Sequence, residues 1–427
     1  MISCTFAERH ELPTDGEVRR VLGALEAFAR FDGETPSVFI RVGREGKGPD
    51  PVYYIDLGDA SGKAIRIGPA EWGVVDRPGV AFWRPKGLLP LPIPSRDGSV
   101  ELLRPFVNLD EPDFRLFITW LAAALPPVGP YPILVVYGEQ GSAKSTLSRL
   151  VHLMVDPQSA PLLAEPRSTR DLMVTAFNGW LLAYDNISAV PTWLSDGLCR
   201  LATGGGFAAR ALYSNDERCV MQAQRPIILN GIEEFVSKGD LAERTVVLNL
   251  PPIAPTARRS EEEFWRSFEA QYPRILGGLL DAVAGGIREL PSVRLPELPR
   301  MADYACFGEA VGRGLGWPDG TFLSAYAGNR RNTASTLIED SVLANALIRM
   351  YTSEFDGYTC TVDGMRSELT RFAAKSLTRN PGWPKTNARF GCELRRLAPQ
   401  LRAHGLSLTF SRTEGARLIT VHTSASC

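Results

Sequence analysis

What this sequence lacks already limits it. It has only four histidines, and its seven cysteines fall at 4, 199, 219, 306, 360, 392 and 427 with no CxxC pair. A zinc cluster needs closely spaced Cys and His ligands, so none is expected, and a reduced cytoplasmic chain is the simplest reading. Long apolar runs are missing too. The longest, 116–128, is interrupted by Thr119 and by Pro126-Pro127. That falls short of the ~20 apolar residues needed to span a bilayer, so no membrane partner is expected. The opening MISCTFAERHELPTDGE has no apolar core of the kind a signal peptide carries. No repeat recurs at a period of roughly 20–50 residues, which excludes a solenoid.

Charge of one sign is also scarce, with 47 Lys+Arg against 48 Asp+Glu. That balance conceals an asymmetry. From Arg366 to Arg417 there are eleven Lys/Arg and three Asp/Glu, so the remainder of the chain is acidic. A basic block on an acidic body fits a module that touches a polyanion, and a solvated basic face explains it equally well. What is present is a chain of 427 residues, 44% hydrophobic and 22% charged. That is the profile of a globular protein of two to four domains, at ~100–200 residues each.

Residues 1–105 read as a small β-rich domain, with strand-like runs VFIRV (38–42), VYYIDL (52–57) and AIRI (64–67). GLLPLPIP (87–94) reads as an extended strap, because proline lacks a backbone donor. A helix capped by Asp110 leads into a core over 106–255. There ILVVY, WLLAY, PIIL and VVLNL are continuous apolar strands of a sheet covered on both faces, hence α/β. Residues 256–335 read as a helical subdomain.

The sharpest local signal is ILVVYGEQGSAKSTLSRLV (133–151): buried strand, glycine-bearing loop, then amphipathic helix. That context is what a phosphate-binding P-loop requires. The candidate loop is Gly138, Glu139, Gln140, Gly141, Ser142, Ala143, Lys144, Ser145 and Thr146. Backbone N–H groups and the helix N-terminus would cradle ATP phosphates. Lys144 would reach the β/γ-phosphates, and the Ser145 hydroxyl would ligate Mg²⁺. Ala143 stands where glycine is commoner, and a right-handed backbone there would tolerate it. A glycine-rich turn that binds nothing is the alternative.

About 40 residues after Lys144, WLLAYDN (180–186) places Asp185 at a strand end as the second Mg²⁺ ligand; a plain strand-end turn competes. Asn186 follows where many ATPases have glutamate, and an amide cannot act as a general base. Glu139 and Glu165 are candidates for the missing carboxylate. Asn230, at the tip of PIIL, would orient water or form a turn with Gly231. Arg244, just before VVLNL, would stabilise phosphoryl charge, or pair with Glu243 or Asp240. Between these strands LCRLATGGGFAARALY (198–213) carries three glycines flanked by Arg200 and Arg210. It reads as a mobile basic turn suited to a nucleic-acid backbone, or as a plain loop.

In this order, GEQGSAKST, YDN, CRLATGGGFAARALY, RPIILNG and DLAERTVVLNLP resemble the superfamily 3 helicases of the AAA+ class. The likeness is nearest to the ATP-binding primase–helicase-type proteins of phages and integrated mobile elements, and it covers roughly 35–335. PRMADYACFGEAVGRGLGW (299–317) resembles a segment of the same proteins. The resemblance implies that Lys144 and Ser145 are Walker A, Asp185 Walker B, Asn230 sensor 1 and Arg244 an arginine finger completing a neighbouring subunit's site. It also implies a ring, a hexamer, with Arg200 to Arg210 at a DNA-facing hairpin. The sequence departs from that pattern at Ala143, at Asn186 and in showing no primase domain, which would leave priming to a separate chain.

Residues 336–427 read as helix, short strand (358–362), helix (364–377), helix (386–403) and hairpin (406–422), the order of a winged helix. Lys385 just before the third helix, Arg389, Arg395, Arg396 and Arg402 on it, and Arg412 and Arg417 beside the hairpin turn at Glu414-Gly415 are candidate DNA contacts. Such modules also bind proteins. The reading as a whole is an ATP-dependent translocase or helicase acting on single-stranded or forked DNA in replication of a phage or mobile element. The rival is an ATP-binding initiator or regulatory switch with little hydrolysis.

Overall fold

The structure is a computed structural model and describes residues 14–31, 37–46, 51–210, 218–232, 234–339, 341–351, 356–380, 382–413 and 416–423. Its class is mixed α/β. Helix α1 (Asp15–Phe31) comes first, where only β structure was expected; Asp15 and Glu17 fill its first turn. Six strands follow: β1 (Val38–Phe39), β2 (Val42–Glu45), β3 (Val52–Asp56), β4 (Ala64–Ile67), β5 (Trp72–Val75) and β6 (Ala81–Phe82). β2 to β5 form an antiparallel meander, and β1 pairs in parallel with β6. The single strand expected over 38–42 is broken because Arg41 sits at φ 58, outside the extended region. Its buried guanidinium takes the Asp156 carboxylate at 3.0 Å and the carbonyls of Asp56, Leu89 and Pro157. The strap at 87–94 is extended, with one bridge between Leu88 and Gln158.

Helix α2 (Glu111–Ala124) begins where the Asp110 side chain accepts the Asp113 N–H, and it stops before Pro126-Pro127. Then come β7 (Ile133–Gly138), α3 (Lys144–Val155), α4 (Thr169–Asn178), β8 (Leu182–Tyr184) and α5 (Thr192–Thr203). The hairpin β9 (Gly206–Arg210) and β10 (Arg218–Gln222) precedes β11 (Ile227–Gly231), the short α6 (Gly239–Ala242) and β12 (Thr245–Leu250). The basic turn expected at 198–213 is therefore a helix end and a hairpin strand, and 211–217 lie outside the described residues.

β12, β7, β11 and β8 make one parallel sheet in that order. Leu134, Val136, Val246 and Leu248 face one core, and Ile133, Val135, Tyr137 and Val247 face another. Burial on both faces accounts for the unbroken apolar runs. Because β7 has β12 on one side and β11 on the other, strand order reverses at β7. Ligands in such sheets bind outside the carboxyl ends of the strands at that reversal.

Helices α7 (Glu261–Glu289), α8 (Ala302–Gly314) and α9 (Thr321–Glu339) follow. Residues of α2, α3, α7 and α8 share one core with Val42, Ile55, Ile65 and Trp72 of the N-terminal meander. The last unit runs α10 (Val342–Met350), β13 (Thr359–Thr361), α11 (Val362–Phe372), α12 (Lys375–Thr378), α13 (Asn387–Ala403), β14 (Leu406–Thr413) and β15 (Ala416–Thr423). Its three strands pair in the order β13-β15-β14 around a separate core. The one helix expected over 364–377 is two, because the chain turns extended at Ala373. The turn expected at Glu414-Gly415 lies outside the described residues.

Candidate functional site

The loop between β7 and α3 sits at the reversal point. At Gly138 a Cβ would fall 2.5 Å from Ser142 Oγ and 2.7 Å from the Leu250 carbonyl oxygen, so only glycine fits. Gly141 has φ 81, the left-handed region that glycine enters freely. Ala143 departs from expectation. It lies at φ 68, ψ 29 rather than in the right-handed region, and a left-handed alanine costs ~1–2 kcal/mol. Strain, not tolerance, is the consequence of replacing glycine there.

Lys144 Nζ donates to the carbonyls of Gly138 and Glu139, both at 2.8 Å. Partial burial lowers its pKa, opposed by the Asp185 charge. Ser145 Oγ donates to Asp185 at 3.0 and 3.3 Å. The sequence separates these two residues by about 40 positions, and the fold joins them. Ser142 Oγ is buried and, among the described residues, has no hydrogen-bond partner, an orphan acceptor and donor inside the loop. These residues fit a polyphosphate and a divalent cation: a glycine cradle, an amine, a hydroxyl–carboxylate pair and an unsatisfied hydroxyl. Glu139 and Gln140 are exposed, and Ser145 and Thr146 lie in the first turn of α3.

Asn186 lies at φ 57, a conformation asparagine tolerates better than most side chains. Its N–H is accepted by Asn230 Oδ1 at 3.0 Å, and Asn230 Nδ2 donates to Ser148 Oγ at 2.8 Å. Asn230 is buried. Its amide ties the end of β8 to α3, with both polar atoms already engaged, so Ser148 belongs to the site although the sequence reading passed over it. Its position one turn after Ser145 was the available signal. Arg244 stands elsewhere. Thr245, its neighbour, pairs with Ile133 at the far end of β7 from Gly138, roughly 15–20 Å of strand away. Its guanidinium pairs with the Asp240 carboxylate and donates to the Asp240 carbonyl at 2.7 Å. Of the two readings of Arg244, the ion pair with Asp240 is present, and the residue does not meet its own chain's loop.

Beside the strand ends, on the Tyr137 and Asn249 side, lies a polar cavity of about 820 Å³ between α2 and α9. Asp113 lines it with its carboxyl pushed up to about 6 by burial and then by the Asp110 charge.

The expected nucleic-acid contacts divide. Arg200 is exposed in the last turn of α5, where its carbonyl accepts the Gly204 and Gly205 N–H groups. Arg210 ends β9 opposite Arg218. On α13 the arginines have different partners. Arg396 pairs with Glu393 at 2.7 Å and donates to the Ser237 carbonyl at 2.9 Å. A Cβ on Gly239 would fall 2.1 Å from the Gln400 side chain. Arg396 is thus engaged with the α/β unit while its side chain stays exposed. Lys385, Arg389 and Arg402 are exposed, and Arg395 lies over the Phe410 ring at 5.3 Å. Arg412 and Arg417 are directly opposite across the hairpin. Like charges so placed repel, and a polyanion would relieve them. Arg395, Arg417, Asn387 and Asp363 line one open cleft of about 460 Å³.

Among the described residues no helix is long and apolar enough to cross a membrane, and no cluster of three His, Cys, Asp or Glu could hold a metal. Among solved structures, the apo C-terminal region of NrS-1 is similar over 86% of this chain and 95% of that one, at 12% identity and TM-score 0.39. A JCV helicase structure is similar over 50% of this chain and 58% of that one, at 14% identity and TM-score 0.28. No match was found among curated proteins. Residues 343–426 match the AICE RepA C-terminal domain. Residues 100–319, more than half of the chain, match the actinomycete integrative conjugative element replication protein, and the chain belongs to that family.

Proposed function

We propose that this replication protein is an ATP-dependent DNA translocase or helicase with a P-loop core of the superfamily 3, AAA+ kind and a C-terminal winged helix. The observation that carries the reading is the Ser145–Asp185 pair beside a glycine cradle with an orphan hydroxyl. Lys144 would leave the Gly138 and Glu139 carbonyls for the β/γ-phosphates, and Ser145 and Asp185 would hold Mg²⁺. Bound there, the cation neutralises charge on the phosphates. The α/β core (106–255), helical subdomain (256–335) and winged helix (336–427) would assemble as a ring, a hexamer. Arg244 would act in that ring only by leaving Asp240 for a neighbouring subunit. DNA would meet Arg200 and Arg210 at the hairpin and Arg395, Arg402, Arg412 and Arg417 on the winged helix.

ATP turnover with and without single-stranded DNA tests this. DNA-stimulated turnover that Lys144→Ala abolishes is expected; wild-type turnover in Lys144→Ala refutes the P-loop. Mixing Arg244→Ala with Lys144→Ala subunits should restore partial turnover if Arg244 acts in trans.

A second reading, an ATP-binding initiator or switch with little hydrolysis, is favoured by one observation. Asn186 carries no carboxylate, and the Asn230 amide is engaged with Asn186 and Ser148 rather than free to orient water. A single-turnover assay separates the readings, because a switch binds ATP without releasing phosphate.

A further inference from the structure

A cation other than Lys144 lies against the loop. Arg258 closes the short turn Pro255–Ala257 in the linker between β12 and α7. One of its guanidinium nitrogens is 3.3 Å from where a Cβ on Gly141 would stand, and the guanidinium carbon is 3.9 Å away. The linker is held at both ends. Leu250 pairs with Gly138 across the sheet, and the Pro251 carbonyl accepts from Asn108 at 2.6 Å. At the other end Glu261 pairs with Arg149 of α3 at 2.6 Å, and Ser260 caps α7. The linker is therefore anchored to the strand before the loop and to the helix after it, which sets Arg258 beside the loop.

Arg258 is exposed and makes no ion pair or hydrogen bond among the described residues. A planar guanidinium suits phosphate oxygens, which it binds with two parallel N–H donors. In the same loop Ser142 Oγ is buried without a partner among the described residues. Resting on the reading of 138–146 as a nucleotide loop, we infer that Arg258 is a second cation of that site, binding the nucleotide's polyphosphate from the same chain as Lys144. Arg244, at the far end of the sheet, cannot take this place in its own chain. Because the linker continues into α7, the contact also ties the helical subdomain to the nucleotide.

The test is titration of fluorescent ATP and ADP analogues, with Mg²⁺, into wild type, Lys144→Ala, Arg258→Ala, Arg258→Lys and Arg259→Ala. Arg258→Ala should weaken binding roughly tenfold, the low end of what a hydrogen bond to a charged group contributes. Arg258→Lys should recover part of this, and Arg259→Ala should match wild type. Arg258→Ala should melt like wild type without nucleotide and gain less from adding it. Mixed with Lys144→Ala, it should gain no turnover beyond what Arg258→Ala subunits show alone, since both changes strike one site. Wild-type affinity in Arg258→Ala while Lys144→Ala loses binding overturns the inference and leaves the loop reading standing. Recovery in the mixture overturns the same-chain assignment. Wild-type affinity in Lys144→Ala overturns the loop reading and this inference together.

Discussion

The loop at 138–146 and the helix at 387–403 both concentrate polar residues, yet they differ in how their chemistry is made. In the loop, consecutive residues converge on one point because the backbone itself curls. On the helix, arginines a few positions apart are driven to different sides by the 3.6-residue turn. Arg396 meets Ser237, while Arg395 stacks on Phe410 near Arg417. A wrapped segment takes its backbone shape from its own consecutive residues and meets one outside carboxylate, Asp185, whereas a helix face acquires partners from the unit packed beside it.

The comparison breaks first, and most visibly, at Lys144. Lys144→Ala should lower ATP turnover on the order of 10²-fold or more, the size of losing one charge-stabilising donor, read as phosphate release. Next, changing Arg395, Arg402 and Arg417 together to alanine should flatten the salt dependence of single-stranded DNA binding by about two units of log–log slope, at ~0.7 per lost phosphate contact. Arg396→Ala should leave that slope unchanged and lower the melting temperature. If Arg396 carries the slope instead, the division of the helix into two faces is wrong.

Asn230→Ala should cost ~1–3 kcal/mol in urea unfolding, because it strips partners from the half-buried Asn186 N–H and the buried Ser148 Oγ. Ala143→Gly should stabilise by about 1 kcal/mol, since it releases left-handed strain; no gain would mean that the loop relaxes. The pH-dependent effect concerns Asp113, whose carboxyl is raised to about 6. Between its ordinary 3.8 and about 6 the folded chain holds a proton that the unfolded chain gives up. Stability therefore falls as pH rises through that window. Asp113→Asn should raise the melting temperature at pH 8, with the gain vanishing below about pH 4.

The same contrast explains what was legible in the sequence. The loop, the Asp185 strand end and the order of elements after 341 were readable because each depends on a few neighbouring residues. The Ala143 conformation was misread because residue type alone does not report φ. Ser148 and Arg258 were missed because their relevance arises across 82 residues from Asn230 and across the β12–α7 linker. Helix α1 was missed because the turn-like and β-rich stretches after it set the expectation for the whole segment. The contact of Arg396 with Ser237 was not legible because the sequence does not say which helical face another unit will pack against.

The buried Arg41 has a consequence for the order in which the chain is made. Its carboxylate partner, Asp156, lies 115 residues downstream and also receives the Trp180 N–H at 2.8 Å. At a synthesis rate of ~5–20 residues per second, Arg41 waits roughly 6–23 s for that partner to be polymerised. Until then its guanidinium, destined for full burial, has no counter-charge, and leaving one member of such a pair alone costs ~3–5 kcal/mol. The N-terminal meander should therefore remain protease-sensitive on ribosomes stalled before residue 156 and become protected once the β8 segment has emerged.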